Sequence, residues 1–519
     1  MAENSYESLP YTSVPYYQTH IAHLHTVGRL YNLAPTDFRQ ARVLELGCAA
    51  GGNLIPMADQ YPASRFVGID LSPRQIRDGA ALIAELGLSN IVLRAESILD
   101  FPPSAGIFDY IICHGTFSWV PADVRAKILA IIRQHLAPNG LALISYNTFP
   151  GWYGPSVLRD MMLFHTAACP TPIEKIGESR KLLQMIAEAQ VSDAEGYRAM
   201  VQSELANMRT SRDEYVFHEY LEDNNRPLYF QEFVTMASEH RLAHLSDSDL
   251  GLMHLANYAP GVRQFVGSMS NPLRVEQYLD FVNNTRFRRA IVVHQEQTIE
   301  RTFDAARVAE LWLQSEARPE GPEPTAPLAP TVTVNFVCPN RIRFATHDAA
   351  GAATLLTLFR NQGRAMTVSE IVAEAKHRYA LPQPEAELRR RLCEFALRLA
   401  LSRAIVLRSD PGRQVATISA RPIALPVARA LAKQSAGVPN ALHEVVMLDQ
   451  ACQFILPRLD GTSDRAALVA LFAGAIARGE PAGRYEITPG MVPPTGAALA
   501  AALVDHALDN LAQNALLIG

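Results

Sequence analysis

Cysteine is scarce in this chain: six in 519 residues, scattered and with no CxxC pair. That excludes a small disulfide scaffold and fits free thiols in a reducing compartment. Long apolar runs are missing as well. The longest, Ala466 to Ala477, is too short to span a bilayer. The opening MAENSYESLP carries acidic residues and no apolar core, so it does not read as a secretory signal. Lysine is rare, five of 47 basic residues, an arginine excess that reads as coding bias. No basic run exceeds Arg389-Arg390-Arg391, so no nucleic-acid partner is demanded. These absences point to a cytoplasmic protein with neither membrane nor nucleic acid as a partner. What is present is 48% hydrophobic and 19% charged residues, enough apolar material for large cores and, by length, about three domains.

Charge is uneven. Residues 1–330 carry 27 basic and 37 acidic side chains, and residues 331–519 carry 20 and 15. The clearest break is 316–331, EARPEGPEPTAPLAPT, whose five prolines predict a stiff, exposed linker. Before it, short apolar runs at 42–46, 65–69, 91–94, 108–113 and 141–146 alternate with helical stretches. That order predicts an α/β, parallel, doubly wound sheet with ligands at the C-terminal strand ends. Residues 155–225 read as helical throughout. Two later strands, 241–245 and 287–294, are expected to complete the sheet, which makes the helical segments insertions or a cap on its ligand edge. After the linker, three helices (353–360, 368–379, 387–401) and a hairpin (404–407 with 415–419) follow the winged-helix order. The organisation expected is a core at 1–150, a helical cap at 151–315 that also supplies the last strands, the linker at 316–331, a winged-helix-like unit at 332–425 and a mostly helical region at 426–519.

The chemistry sits in Val43-Leu-Glu-Leu-Gly-Cys-Ala-Ala-Gly-Gly-Asn53. A strand carries Glu45, and Gly47, Ala49 and Gly51 follow at alternate positions before a helix. Small residues allow a tight turn and close approach of a ligand, and the helix start behind them offers free N–H groups. The next strand ends in Asp70, an acid placed to accept hydrogen bonds from ribose hydroxyls. Gly47-x-Ala49-x-x-Gly52 also fits a loose dinucleotide fingerprint. S-adenosylmethionine is favoured because Glu45 would repel a pyrophosphate, because Glu96-Ser97-Ile98 suits an adenine edge and face, and because no strand end offers a hydride-chemistry residue.

The segments LELGCAAGGNLIPMA (44–58), FVGIDLSPRQI (66–76), FDYIICHGTFSWVP (108–121), SYNTFPGW (145–152) and FHEYLEDNNRPLYFQEF (217–233) resemble the class I S-adenosylmethionine-dependent methyltransferases. The last two narrow the resemblance to bacterial enzymes with a methyltransferase regulatory domain, which include the rickettsial-type protein-lysine methyltransferases. The resemblance implies a Rossmann-like sheet. It places Glu45, Gly47, Ala49, Gly51 and Asn53 along the methionine and ribose part of the cofactor, Asp70 and Leu71 at the ribose, Glu96, Ser97 and Ile98 at adenine, and His114 and Gly115 beside the sulfonium. Ala49 stands where the superfamily has glycine, and Ser97 where it often has aspartate. The resemblance also places the aromatic N-terminal segment (Tyr6, Tyr11, Tyr16, Tyr17, His20) near the cofactor.

Candidate acceptor-side residues are His114, Trp119, Tyr146, Asn147 and Trp152. His114 reads equally as an active-site group or a packed strand-end residue, and Trp119 with Phe117 as an aromatic wall or as core. His218, Glu219 and Glu222 lack convincing metal-ligand spacing and read as a solvated helix face. An amine acceptor must lose its proton, and free lysine titrates near ~10.4, so burial beside a sulfonium would have to help. A protein lysine is the acceptor expected, because the long C-terminal half offers more surface than a metabolite needs. A small-molecule or peptide acceptor and a non-catalytic cofactor-binding regulator are the alternatives, and a homodimer is left open.

Overall fold

The computed structural model describes residues 7, 9–189, 195–324, 327–329, 331–339, 341–361, 363–415, 417–480 and 496–519. Tyr6 lies outside them. The first unit contains α1 (Ile21–Leu30), β1 (Arg42–Leu46), α2 (Leu54–Gln60), β2 (Arg65–Asp70), α3 (Pro73–Leu86), β3 (Ile91–Ala95), β4 (Phe108–Cys113), α4 (Ala122–His135) and β5 (Leu136–Asn147). Local signals set these boundaries. For α3, Ser72 caps the start by accepting from Gln75 N, proline occupies the first turn, and Gly87 ends the helix at φ 66°, each a favoured stop or start.

A helical cap follows: α5 (Tyr153–His165), α6 (Pro172–Glu188), α7 (Glu195–Thr210) and α8 (Asp213–Tyr220), packed around its own core of Leu158, Met162, Leu183, Leu205, Met208 and Phe217. The chain then returns through α9 (Phe230–Glu239), β6 (Leu242–Asp247), α10 (Pro260–Gly267), α11 (Pro272–Asn283) and β7 (Phe287–His294). The seven-stranded sheet has the order β3-β2-β1-β4-β5-β7-β6. Strands β1 to β5 are parallel, while β7 runs antiparallel to both β5 and β6. All seven strands read from the sequence are present, and the two late ones close the sheet. Alternate residues face opposite sides: Val43, Tyr110 and Leu141 pack on α1 to α3, and Leu44, Ile111, Ile144 and Tyr146 pack on α4 and α9.

Beyond the sheet come β8 (Trp312–Gln314), β9 (Arg318–Pro319), β10 (Val334–Val337), β11 (Arg343–Thr346), α12 (Ala349–Arg360), β12 (Met366–Thr367), α13 (Val368–Tyr379), α14 (Glu385–Leu401) and β13 (Val406–Arg408). The expected exposed linker is corrected here. Ala317 and Leu328 are buried in this unit's core, β9 pairs with β10, and Glu323 accepts from the Tyr379 hydroxyl at 2.9 Å. The prolines forbid a helix but permit an edge strand, and the two apolar residues among them anchor it.

The hairpin is corrected as well. β13 pairs with β8, a strand from before the prolines, and Val415 N instead donates to Leu517 O. Gly412 N donates to Asp410 Oδ1 at 2.7 Å while Tyr61 donates to Asp410 Oδ2 at 2.9 Å. The turn is thus pinned to the first unit rather than folded back on β13. The last unit holds α15 (Pro426–Leu431), β14 (Gly437–Pro439), β15 (Val445–Met447), α16 (Gln450–Ile455), α17 (Arg465–Ala477) and α18 (Gly496–Gln513), with a separate core. Among the described residues no helix is long and apolar enough to cross a membrane.

A buried ionic cluster ties the antiparallel edge of the sheet to α11. Arg288 Nη1 reaches Glu276 Oε2 and its Nε reaches Asp280 Oδ2, both at 2.9 Å, and His244 Nε2 lies 3.1 Å from Glu276 Oε2. Burial pushes the Glu276 carboxyl up, but His244 and Arg288 pull it further down, to about 2. Removing one partner strands the others, so Arg288→Ala should cost about 3–5 kcal/mol in denaturant melts. Because the folded-state value lies below the unfolded one of about 4.3, the Glu276 contribution is present above that pH and lost as pH falls toward 2. A Glu276→Gln variant should lack that part of the acid dependence.

Candidate active site

The turn after β1 is held in left-handed backbone by Gly47 (φ 76°), Ala49 (φ 50°) and Gly51 (φ 74°). Glycine at 47 is a steric requirement, since a Cβ there would lie 2.2 Å from Thr116 Oγ1. Ala49 bears a strain of about 1–2 kcal/mol, offset by its N–H, which donates to Asp70 Oδ2 at 2.9 Å. The other carboxylate oxygen of Asp70 accepts from Ser72 N at 2.9 Å. Burial raises the Asp70 carboxyl, and these backbone N–H groups oppose the rise. Asp70 therefore organises the loop between β1 and α2 as well as marking the end of β2.

Glu45 is 3% exposed. Its Oε1 accepts from Asn53 Nδ2 at 2.8 Å, and its Oε2 is buried with no partner. Burial pushes the carboxyl up to about 8, with the Asn53 bond opposing and Asp70 adding to the rise. At the end of β3, Glu96 N donates to Asp70 O at 2.9 Å. Ser97 Oγ accepts from Leu99 N at 3.2 Å, so part of its acceptor capacity serves its own turn. Glu96, Ser97 and Ile98 are half-buried, and Leu71 is 64% exposed.

At the end of β4, the His114 ring packs against Tyr16 (4.2 Å between centroids) and Phe287 (5.8 Å). Its Nδ1 is buried without a partner, and burial, with Arg289 adding, lowers its pKa to about 3. His114 is therefore a neutral aromatic wall near pH 7 rather than a proton shuttle. Gly115 N donates to Ser145 Oγ at 2.8 Å, which fixes the turn.

Three of the expected acceptor-side residues do not stand at an open mouth. Tyr146 is 1% exposed, stacks on Phe233 at 4.4 Å and is paired with Arg288 on the neighbouring strand β7, on the same face of the sheet. The one-residue alternation of β5 puts it on the α4/α9 side. Asn147 is buried and donates through Nδ2 to Asn225 Oδ1 at 3.1 Å. Trp152 is also 1% exposed, edge-on to Trp119 at 6.2 Å, so it backs the wall. Of the set, His114 and Trp119 are only partly buried.

The groups that take their place come from the N-terminal segment and α8. Glu219 lies close enough to Tyr11, Tyr16 and Tyr215 for its charge to raise all three phenols, and Tyr16 carries this cluster up to His114. Burial raises Glu219 to about 7, against the pull of Arg286 and with the push of Glu204. The solvated-face reading of α8 is thereby corrected. His218 is 4% exposed, with Nδ1 2.6 Å from Glu222 Oε1 and Nε2 2.6 Å from Leu9 O. The usable signal was Tyr215 and Glu219 at i, i+4, on one helical face. Among the described residues no group of three His, Cys, Asp or Glu could hold a metal ion. Two open surface clefts have volumes of about 610 and 600 Å³: the first, around Tyr229 and Phe281, adjoins the end of β5 through Leu228, whose N donates to Asn147 O at 3.0 Å, and the second lies around Asn32 and Gln297.

The small-residue turn, the ribose acid and an orphaned buried carboxylate oxygen fit S-adenosylmethionine, whose methionine ammonium would meet Glu45 and whose ribose would meet Asp70. Fold and site together define a class I S-adenosylmethionine-dependent methyltransferase. Comparison with known proteins agrees. Residues 43–140 match the family model described as "Methyltransferase domain", 212–294 that described as "Predicted methyltransferase regulatory domain", and 420–516 that described as "PKMT, C-terminal winged helix domain". A Rickettsia prowazekii protein is 33% identical over 482 residues, 92% of this chain and 87% of that one. A second, shorter protein of that organism is 39% identical over 235 residues, covering 45% of this chain and 94% of its own length. PKMT2 from Rickettsia typhi, solved in complex with AdoHcy, superposes with a TM-score of 0.88 at 28% identity, covering 98% of this chain and 100% of that one. The chain belongs to the rickettsial-type protein-lysine methyltransferase family, in which a methyltransferase domain is joined to a regulatory domain and a C-terminal winged helix. The last of these falls on the region read from sequence as mostly helical.

Asp70→Ala removes two loop hydrogen bonds together with the ribose acceptor. Calorimetry should show a tenfold to hundredfold weaker binding of S-adenosylmethionine, about 1.5–3 kcal/mol. NAD should not bind either protein. Equal affinity of the variant and the wild type would contradict the assignment.

Proposed function

We propose that this methyltransferase N-methylates lysine side chains of a protein substrate. The observation that carries the reading is the buried carboxyl of Glu219 within electrostatic reach of Tyr11, Tyr16 and Tyr215, with the Tyr16 ring packed on His114. S-adenosylmethionine supplies an electrophilic methyl group on a sulfonium. The chain must therefore deliver an unprotonated nucleophile, align it and exclude water. A lysine ammonium is drawn to the carboxylate and to the faces of the phenols. Glu219, raised to about 7, is matched to accept one ammonium proton near neutral pH. The freed nitrogen lone pair is then oriented by tyrosine oxygens, and the neutral ring of His114 forms a dry wall beside the reacting carbon. A carboxylate acceptor would be repelled by Glu219, which favours an amine. The relation to PKMT2 of Rickettsia typhi supports the same acceptor class. The proposal includes a cytoplasmic setting, in keeping with six unpaired cysteines.

The test is transfer of labelled methyl from S-adenosylmethionine to proteins of a lysate, with mass spectrometry locating the group. Label on lysine nitrogen supports the reading, whereas label on a carboxylate, a thiol or small molecules alone overturns it. On the identified substrate, kcat/KM should rise with pH through about 7 as Glu219 loses its proton. Glu219→Gln should abolish that step and lower turnover by about 10²-fold or more, with cofactor affinity nearly unchanged.

A further inference from the structure

We propose that His443, from the C-terminal unit, is a positioning residue of the cofactor site, acting on Glu45 through the side chain of Asn53. His443 Nε2 lies 2.8 Å from Asn53 Oδ1 across 390 residues of chain. The same oxygen accepts from Thr19 Oγ1 at 2.9 Å and from Tyr16 N at 3.3 Å. On its other side, Asn53 Nδ2 donates to Glu45 Oε1 at 2.8 Å.

The orientation of this amide is forced. The Tyr16 N–H can only donate, so a flipped amide would set donor against donor at that contact. With Oδ1 fixed as the acceptor, His443 must carry its proton on Nε2. That proton locks the amide, and the amide occupies one oxygen of Glu45, leaving Oε2 buried and unpartnered for a donor on the cofactor.

Two further features favour a dedicated role. His443 is 2% exposed and adopts φ 64°, a left-handed conformation that a non-glycine residue keeps only when its surroundings impose it. Its ring packs 4.8 Å from that of His20, whose own neighbours are Tyr61 (5.7 Å) and the Asn53-bonding Thr19. The N-terminal segment, the loop after β1 and the C-terminal unit therefore meet at one amide. The C-terminal unit completes the methyl-donor site from behind, which gives a reason for its attachment to a methyltransferase core.

The test uses the full-length protein with S-adenosylhomocysteine as the probe, read by calorimetry, alongside thermal melts. His443→Phe should weaken binding roughly threefold to tenfold through loss of one hydrogen bond and its hold on the amide. His443→Gln, which keeps an N–H donor, should recover most of the affinity. Arg413→Ala is the control. It breaks a second contact of the C-terminal half with the core, the 2.9 Å pair with Asp59, without touching the Asn53 link, and should leave affinity within twofold of wild type. Asn53→Ala tests the link should His443→Phe not fold. It should weaken binding at least as much, and adding His443→Gln to it should cause no further loss. Unchanged affinity in His443→Phe or Asn53→Ala overturns the proposal. So does an equal loss in Arg413→Ala, which would show general destabilisation instead.

Discussion

A carboxylate buried with only one of its oxygens bonded is among the more costly features a fold can hold. Glu45 is such a group, enclosed at the end of a central strand with Oε2 unpartnered. Burial drives it toward the neutral acid, at about 8, and an incoming ammonium would restore its charge by pairing with it. The strained turn at Gly47, Ala49 and Gly51 and the double acceptance by Asp70 hold the neighbouring backbone where such a ligand would be met. The local cost at Glu45 is retained because binding relieves it.

The N-terminal segment has a comparable dual use. Leu9 O is bonded by His218 and Thr12 donates to Glu214 Oε1 at 2.8 Å, both on the cap helix α8. From the next residue on, the same segment reaches the core, where Ser13 Oγ accepts from Gly52 N at 2.8 Å and Tyr16 N meets Asn53. One short stretch thus bridges the cap to the loop after β1 and carries Tyr11 and Tyr16 between them. Polar bonds with directional geometry act together with the packing of Leu9 on the cap core and of the Tyr16 ring on His114 to set its register. That is suited to placing phenols at a defined distance from a reacting centre.

The sheet was legible in the sequence because a buried strand is a short apolar run bounded by turns, and seven such runs could be found without tertiary knowledge. The cofactor turn was legible because left-handed backbone narrows the choice of residue. Tyr146 was misplaced because its strand-end position says nothing about which face it takes, and one residue of register decides that. Glu219 and His218 were read as solvated because their burial comes from the N-terminal segment, some 200 residues away in sequence. The prolines of 316–331 suggested a linker, but proline excludes a helix without excluding an edge strand, and Ala317 and Leu328 were the overlooked anchors.

The C-terminal half shows why cores and sites need not share boundaries. The two units after the sheet have cores of their own, as does the cap, so each buries its apolar surface largely by itself. Where these units meet the first one, several of the contacts are polar: Ser409 N donating to Thr26 Oγ1, Tyr61 with Asp410, Arg413 with Asp59. Apolar interfaces tolerate sliding, whereas hydrogen bonds between buried groups fail when geometry shifts by a fraction of an ångström. Units joined in this way hold their relative position sharply although each has its own core. That precision is what a histidine delivered from residue 443 to an amide at residue 53 requires, and it ties the cofactor site to regions that no reading of the methyltransferase motif alone would include.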